Sequence, residues 1–277
     1  MRTKELFYWI KERYAISQKK AAGKPKPWTT DPILQSYRFC NVHREDDTVT
    51  QWIRTNWREP HDADPNLWFA MCVARLINWP ESLEEGGYPV PWKPASWTKK
   101  LDARKARGEK VFTGAYMIHA DATPTASKCG YLAERVLTPL WDARKKVPTG
   151  SLKELHEWFM MFRDMGSFMA AQVVCDTKYQ TRWRGAPDWD TFAAPGPGSQ
   201  RGLNRVFGYG VNDPWTPKRG WHTCLWQLKQ EIDPLVAKAG IPYIHAQDLQ
   251  NCLCEFDKYE RVRLGEGRPR SKYPGGK

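Results

Sequence analysis

Nowhere in the 277 residues do eighteen apolar residues run together, so no segment has the apolar length that a membrane-crossing helix needs. The N-terminus, Met1-Arg2-Thr3-Lys4-Glu5, opens an amphipathic pattern and lacks the short apolar core of a cleavable leader. A cytoplasmic location is the expectation, with no membrane partner. Cysteine is sparse and unpaired: seven residues, an odd number, without one Cys-x-x-Cys, as suits reduced thiols. The spacings of His222-x-Cys224 and Cys252-x-Cys254 do not match the usual zinc ligand pairs, so no metal is expected. Also missing is any Gly-x-x-x-x-Gly-Lys loop of the kind that cradles nucleotide phosphates.

Acidic residues fall short as well. Thirty-one Asp and Glu face 43 Lys and Arg, a net charge of +12. A surface this basic attracts polyanions whatever their sequence, and nucleic acid is the leading partner class. Tryptophan, by contrast, is abundant at 15 residues in a chain of mean hydropathy −0.69. The length suits one large domain or two small ones with room for a core.

The stretch from Ser151 to Phe207 carries the densest information. Ser151 with Glu154 three residues on is the signature of a reciprocal helix N-cap. Leu152, Leu155, Trp158, Phe159 and Phe162 then trace a buried helical face. Asp164-Met165-Gly166 ends that helix, with the glycine expected in the left-handed conformation. Apolar residues resume from Phe168 to Cys175, so the pair reads as a helix-hairpin-helix. Pro187-Asp188-Trp189-Asp190-Thr191 follows, then Gly196-Pro197-Gly198-Ser199-Gln200-Arg201-Gly202-Leu203-Asn204-Arg205. Glycines, a serine and two arginines at a helix start put bare N–H groups, the positive helix end and guanidinium forks together, which suits an anion. An irregular loop that merely caps a helix is the alternative.

Elsewhere the pattern is helical. Residues 4–20 form a helix with a basic outer face, and the Lys- and Pro-rich link at 23–28 is extended. Arg38, Asn41 and Arg44 lie close together, either forking onto phosphates or base edges or sitting on a salt-bridged surface helix. Helices are expected at 48–57, from Asp64-Pro65 to Trp79, from Ser96 to Gly108 and at 128–146, with a Pro- and Gly-rich link across 80–95. Val111 to Ile118, with a central glycine, is either a short strand or a close backbone approach. Further helices are expected at 221–239 and 246–264. The last sets Asp248, Glu255, Lys258 and Tyr259 on one flank, where the acids either act as general bases or pair with neighbouring cations on a solvated face. The tail from 266 is basic and expected on the surface.

The hairpin, the aspartate after it and the helix ending at Phe207 resemble the helix-hairpin-helix DNA glycosylases. Taken with Tyr37 to Arg44, Phe112-Thr113-Gly114-Ala115-Tyr116, the 196–203 loop and Leu253 to Tyr259, the chain resembles one family in particular. That family is the glycosylase-fold α-glutamyl/putrescinyl thymine pyrophosphorylases of bacteriophage DNA hypermodification, or amino acid:DNA transferases. The Arg-Phe-x-Asn-Val-x-Arg stretch is also similar to the helical domain of 5-hydroxymethyluracil DNA kinases.

The resemblance implies a mainly α, helix-hairpin-helix glycosylase-like fold, a single helical unit over 1–277 with two lobes around a cleft, 30–150 and 151–265, and the N-terminal helix 3–20 packed on either. It implies double-stranded DNA carrying phosphorylated 5-hydroxymethyluracil as substrate, a free amino acid or polyamine as co-substrate, and no cofactor. The expected catalytic acid is Asp190, then Asp188, with Glu255 or Asp257 as alternatives. Gly198, Ser199, Arg201, Asn204, Arg205, Arg38, Asn41, Arg44, Tyr116 and Lys258 are expected to hold phosphate or the reacting nucleotide, and Gly166, Ser167, Lys178 and Arg184 to hold the DNA. Base–sugar cleavage by a glycosylase, a non-catalytic DNA-binding module and a kinase relative are the alternative activities.

Overall fold

The computed structural model describes residues 1–114, 127–269 and 272–273. Among them the regular elements are all helical: α1 (Thr3–Ala21), α2 (Pro32–Ser36), α3 (Thr48–Ile53), α4 (Leu67–Ile77), α5 (Pro80–Gly86), α6 (Pro94–Ala106), α7 (Lys128–Tyr131), α8 (Thr138–Asp142), α9 (Leu152–Met160), α10 (Ser167–Thr177), α11 (Pro197–Phe207), α12 (Trp221–Lys238) and α13 (Ala246–Arg263). Single π-type turns at Arg54–Arg58 and Leu132–Leu137 extend α3 and join α7 to α8. No helix of the described residues is long and apolar enough to cross a membrane.

The chain divides into two compact units. The first joins Met1–Asp47 to Ala193–Lys277; the second is Thr48–Phe192. Division therefore falls at 47/48 and 192/193, and the N-terminal helix belongs with the C-terminal ones. The surplus of positive charge follows the division. The first unit holds 23 of the 43 basic residues against 14 of the 31 acidic ones, so it carries +9 of the net +12.

In the first unit, α1, α11, α12 and α13 close on a core of Leu6, Trp9, Ile10, Leu203, Leu228, Leu253 and Phe256. The tightest contact is α11 on α13. Gly198 and Gly202 stand four residues apart and so share one face of α11. A Cβ at Gly202 would lie 2.7 Å from the carbonyl carbon of Leu253, and one at Gly198 would lie 3.3 Å from Cys254 Cβ and closer still to its Sγ. These two glycines let the helices approach. Glycine in a helix costs about 1 kcal/mol relative to alanine, and close packing offsets that cost here.

The second unit is built on α4. All eleven of its residues are buried, as a helix apolar all round must be. Trp68 meets Trp158 edge-on at 5.4 Å, and Phe69 meets Trp92 and Trp141 at 5.2 and 5.1 Å. Arg75, in this apolar helix, would be a large desolvation cost if alone. It is answered by Asp176 of α10 through both Nε and Nη2, and by Asn78 and Thr50 at 3.0 and 2.7 Å.

Several boundaries differ from expectation. Proline at 80 starts α5 inside what reads as linkage, because proline fits the first turn of a helix. The α4 helix begins at Leu67, where Asp64 bonds the Asn66 N–H at 2.8 Å before the helix opens. The α6 helix begins at Pro94, ahead of Ser96. Between α9 and α10 the left-handed residue is Asp164 (φ 59°), while Gly166 has φ −61°. Aspartate tolerates that conformation, and its carboxylate is further held by the Tyr131 hydroxyl at 2.7 Å. Residues 111–114 form no strand, and the rest of the Val111–Ile118 stretch lies outside the described residues.

Candidate functional site

In the first unit the chain leaves α2 at Tyr37 and runs extended until a single 3-10 turn at Arg44–Asp46. An extended segment has N–H and C=O groups that nothing local can satisfy. Here α1 and α13 satisfy them. Arg13 of α1 donates through Nε to the Phe39 carbonyl at 3.2 Å and through Nη2 to the Asn41 side chain. Asn41 in turn donates to the Asp46 carbonyl at 2.8 Å. Glu255 accepts the Cys40 N–H at 3.0 Å, and Asp248 accepts the Arg44 N–H at 3.1 Å.

The acids of α13 are therefore neither solvated nor idle. Asp248, Glu255, Asp257 and Glu260 are all buried on one helix. Glu255 also takes Lys258 Nζ at 2.7 Å. Asp257, with no exposure at all, receives Arg201 Nε and Arg205 Nε, each at 2.9 Å, with Arg261 at 3.6 Å. Arg205 reaches on to Glu266.

These contacts bring together Cys40, Gly198, Arg201, Cys254, Glu255, Asp257 and Lys258. Arg201 and Lys258 keep 32% and 29% of their side chains exposed while their partners are buried. Both cations are thus fixed at one end and open at the other, which is the condition for recognising an outside anion without a large loss of side-chain entropy. Burial alone would lower Lys258, but Glu255 beside it holds it above its ordinary value. Burial, with Glu255 next, pushes the Cys254 thiol up to about 11, so it stays protonated at neutral pH.

Other expected ligands serve the fold. Ser199 is fully buried; its hydroxyl accepts the Gly196 N–H and donates to the Gly196 carbonyl, both at 3.0 Å. Asn204 ties down the following loop by donating to the carbonyls of Val211 and Asp213, each at 3.0 Å. Arg38 is exposed and stands 5.5 Å over the Tyr273 ring. Tyr116 lies outside the described residues.

In the second unit, Asp188 caps α9, accepting the N–H groups of Leu152 and Lys153 at 2.8 Å each, beside the expected Ser151 cap on Glu154. Lys178, expected at the DNA, is turned inward and fully buried. Its Nζ donates to the Trp189 carbonyl at 2.6 Å and lies 4.0 Å over the Trp189 ring, while Trp189 Nε1 returns a bond to the Lys178 carbonyl at 2.8 Å. That exchange fixes the 188–190 turn against the end of α10 and leaves Asp190 exposed on it. Gly166 is exposed with open space where a side chain would be. The Ser167 carbonyl engages His156 at 3.0 Å, and Arg184 is exposed, donating to the Tyr179 carbonyl at 2.9 Å.

Sequence reading missed Arg13 and Asp31. Arg13 sits on a helix read only for its basic outer face, yet is buried. Asp31 caps α2 with one carboxylate oxygen and takes the hydroxyls of Tyr8 and Tyr259 with the other. An Asp-Pro pair at a helix start signals the cap, and nothing local signals the tyrosines.

A chain whose described residues form only helices as regular elements, with cations set over buried acids and two units of unequal charge, is the class that fold and site define. The model of the 5-hmdU DNA kinase helical domain matches residues 2–268, and the chain belongs to that family. Among curated proteins it is similar to the 5-hmdU DNA kinase of Bacillus phage SP10, 30% identical over 210 residues, which is 67% of this chain and 33% of that relative. The chain thus spans about a third of the length of the relative it matches. No solved structure matches it.

Proposed function

We propose that the chain is a DNA base-hypermodification transferase, which replaces the phosphate or pyrophosphate on the C5 methylene of phosphorylated 5-hydroxymethyluracil in DNA with the amine of an amino acid or polyamine. One observation carries this reading. The family match covers residues 2–268, and the family is described by 5-hmdU, the base whose phosphorylated form this reaction consumes.

The reaction forms a C–N bond and breaks a C–O bond; the leaving phosphate takes the electron pair, and the attacking nitrogen gives up a proton. The fold assigned here is helix-hairpin-helix glycosylase-like, on the strength of α9, its turn and α10. A stacked base must be everted before its C5 substituent can react, at a cost of a few kcal/mol. The amine must be neutral to attack, which asks for a carboxylate able to receive its proton. Asp190 is the assigned base. It is exposed on an anchored turn, whereas Asp188 caps α9, and Glu255 and Asp257 are buried against loop amides and arginines. Arg201 and Lys258 of the first unit are assigned to a DNA phosphate, and Gly166 of the second unit, exposed at the start of α10, to another.

The test is to incubate DNA carrying phosphorylated 5-hydroxymethyluracil with mixed amines and weigh the nucleosides. A new amine adduct, lost in Asp190→Asn with the fold intact, is the expected result. Alkali-labile sites without an adduct would mean a glycosylase instead. A second reading is favoured by the partial coverage of the relative: the chain as the base-recognising part of a kinase. Phosphate incorporation from ATP into 5-hydroxymethyluracil DNA would support that reading.

A further inference from the structure

The first unit contains a cavity of about 510 Å³ that none of the assignments above uses. It opens where the end of α2 meets the turn after α13 and the returning tail. The tail is held there by main-chain contacts: the Tyr273 N–H donates to the Ser36 carbonyl at 3.0 Å, and Tyr37 and Lys272 form an isolated antiparallel bridge. Ile33 and Val262 give the cavity apolar walls, Tyr37 and Ser36 a phenol and a hydroxyl, and Arg268 and Lys272 two exposed cations.

No acid stands among the described lining residues. The nearest acids in sequence are already engaged. Asp31 is buried, with both oxygens accepting hydrogen bonds, and Glu266 pairs with Arg205. Two cations with no acid beside them among the described lining residues select an anion. The apolar walls ask that this anion carry an apolar body, since bare phosphate would leave Ile33 and Val262 facing water. Tyr273, next to Lys272 in the chain, and the lining residue Tyr37 belong to a set of aromatic rings topped by charge. Lys26 lies 4.9 Å from the Tyr273 ring and 5.4 Å from Trp28, Arg38 lies 5.5 Å from Tyr273, and Lys272 lies 5.7 Å from Tyr37. Flat rings interleaved with cations are what a base and its phosphate require.

We propose that this cavity is a nucleotide-binding site, which takes a nucleoside monophosphate unit with its phosphate against Arg268 and Lys272 and its sugar and base against Ile33, Val262 and Tyr37. The volume lies within the range of about 300–1,000 Å³ of small-molecule sites. The unit comes from one of two sources, a nucleotide of a DNA strand or a free mononucleotide. The assignment stands whether or not the chain transfers amines.

Calorimetric titration of the full chain with thymidine monophosphate, thymidine, inorganic phosphate and an eight-residue oligothymidylate tests it. The monophosphate is expected to bind at least tenfold more tightly than thymidine or phosphate alone. Arg268→Glu with Lys272→Glu should weaken it at least tenfold without shifting the melting temperature, and Ile33→Trp, which fills the cavity, should do the same. Lys4→Glu with Lys238→Glu, an equal change of charge at exposed sites of the same unit, should have little effect. Oligothymidylate binding tenfold or more above the monophosphate assigns the source to a strand, and equal binding assigns it to the free nucleotide. The proposal is overturned if the monophosphate binds no better than its two parts, if the Arg268 and Lys272 changes or Ile33→Trp leave its binding intact in folded protein, or if the control pair weakens it equally.

Discussion

Replacing Gly202 by alanine separates two meanings of the glycine-rich segment. If the glycines make room for α13, a methyl at 202 meets main chain, 2.7 Å from the Leu253 carbonyl carbon and 3.1 Å from its Cα. Carbon atoms prefer about 3.5–4.0 Å, and neither partner is a side chain that can rotate away. Helix α11 must therefore retreat by roughly 1 Å, which also lengthens the bonds from Arg201 and Arg205 to Asp257. Overpacking of this kind costs about 1–3 kcal/mol, and the better helix propensity of alanine returns at most about 1 kcal/mol. The net loss of about 1–2 kcal/mol corresponds to a melting temperature lower by about 2–8 °C for a chain of this size. Gly198→Ala should cost less, because the Cys254 side chain can turn aside. Gly166→Ala has open space and an ordinary φ of −61°, but Gly166 is the N-cap of α10, where alanine is the poorer residue, so a small loss of about 0.5 kcal/mol is expected. Calorimetric melting and DNA affinity are measured together. A Gly202→Ala protein that melts like the parent but no longer binds DNA would refute the packing argument and restore the anion nest.

Three further outcomes follow from particular contacts. Asp188→Ala removes the acceptor for two N–H groups at the start of α9 and should cost about 1 kcal/mol in denaturant unfolding; an unchanged midpoint would contradict the cap. Arg75→Met alone leaves Asp176 charged and buried and should cost about 3–5 kcal/mol, whereas Arg75→Met with Asp176→Leu should recover most of it. Recovery absent from the double variant would show that the side chains matter by shape and not by charge. Burial opposes ionisation of Glu260, but Arg263 and Arg2 outweigh it and hold its carboxyl below the ordinary 4.5. The unfolded chain therefore binds the proton more readily, so this stability is full above about pH 4.5 and is lost as pH falls through the lower folded value. Glu260→Gln should flatten that part of the acid-unfolding curve.

What the sequence made legible was whatever depends on near neighbours. The α9–α10 pair announced itself because its cap and its apolar period lie within twenty-five positions, although the left-handed residue of its turn is Asp164 and not Gly166. The long helices α1, α12 and α13 were legible for the same reason, and Gly240 and Gly265 do take the left-handed conformation at their ends. Chemistry that depends on distant partners was not legible. Gly198 and Gly202 stand at a spacing that serves a phosphate nest and a helix contact equally, and only the presence of Leu253 decides between them. The acids of α13 could be read either as general bases or as a solvated, cation-paired flank, because their partners, the amides of Cys40 and Arg44, lie more than two hundred residues away. Lys178 read as a surface cation for want of any sign that Trp189 would cover it. The cavity beside Arg268 and Lys272 joins a five-residue helix to a tail that carries no periodic signal, so its two walls could not be paired in advance.

The balance of products tests the central claim most directly. With DNA carrying phosphorylated 5-hydroxymethyluracil, one amine and excess protein, phosphate or pyrophosphate released and amine adduct formed are counted in a single turnover. Transfer predicts one leaving group for each adduct and no release when the amine is withheld. Leaving group set free without an adduct, or DNA recovered with its phosphorylated base untouched, would contradict it.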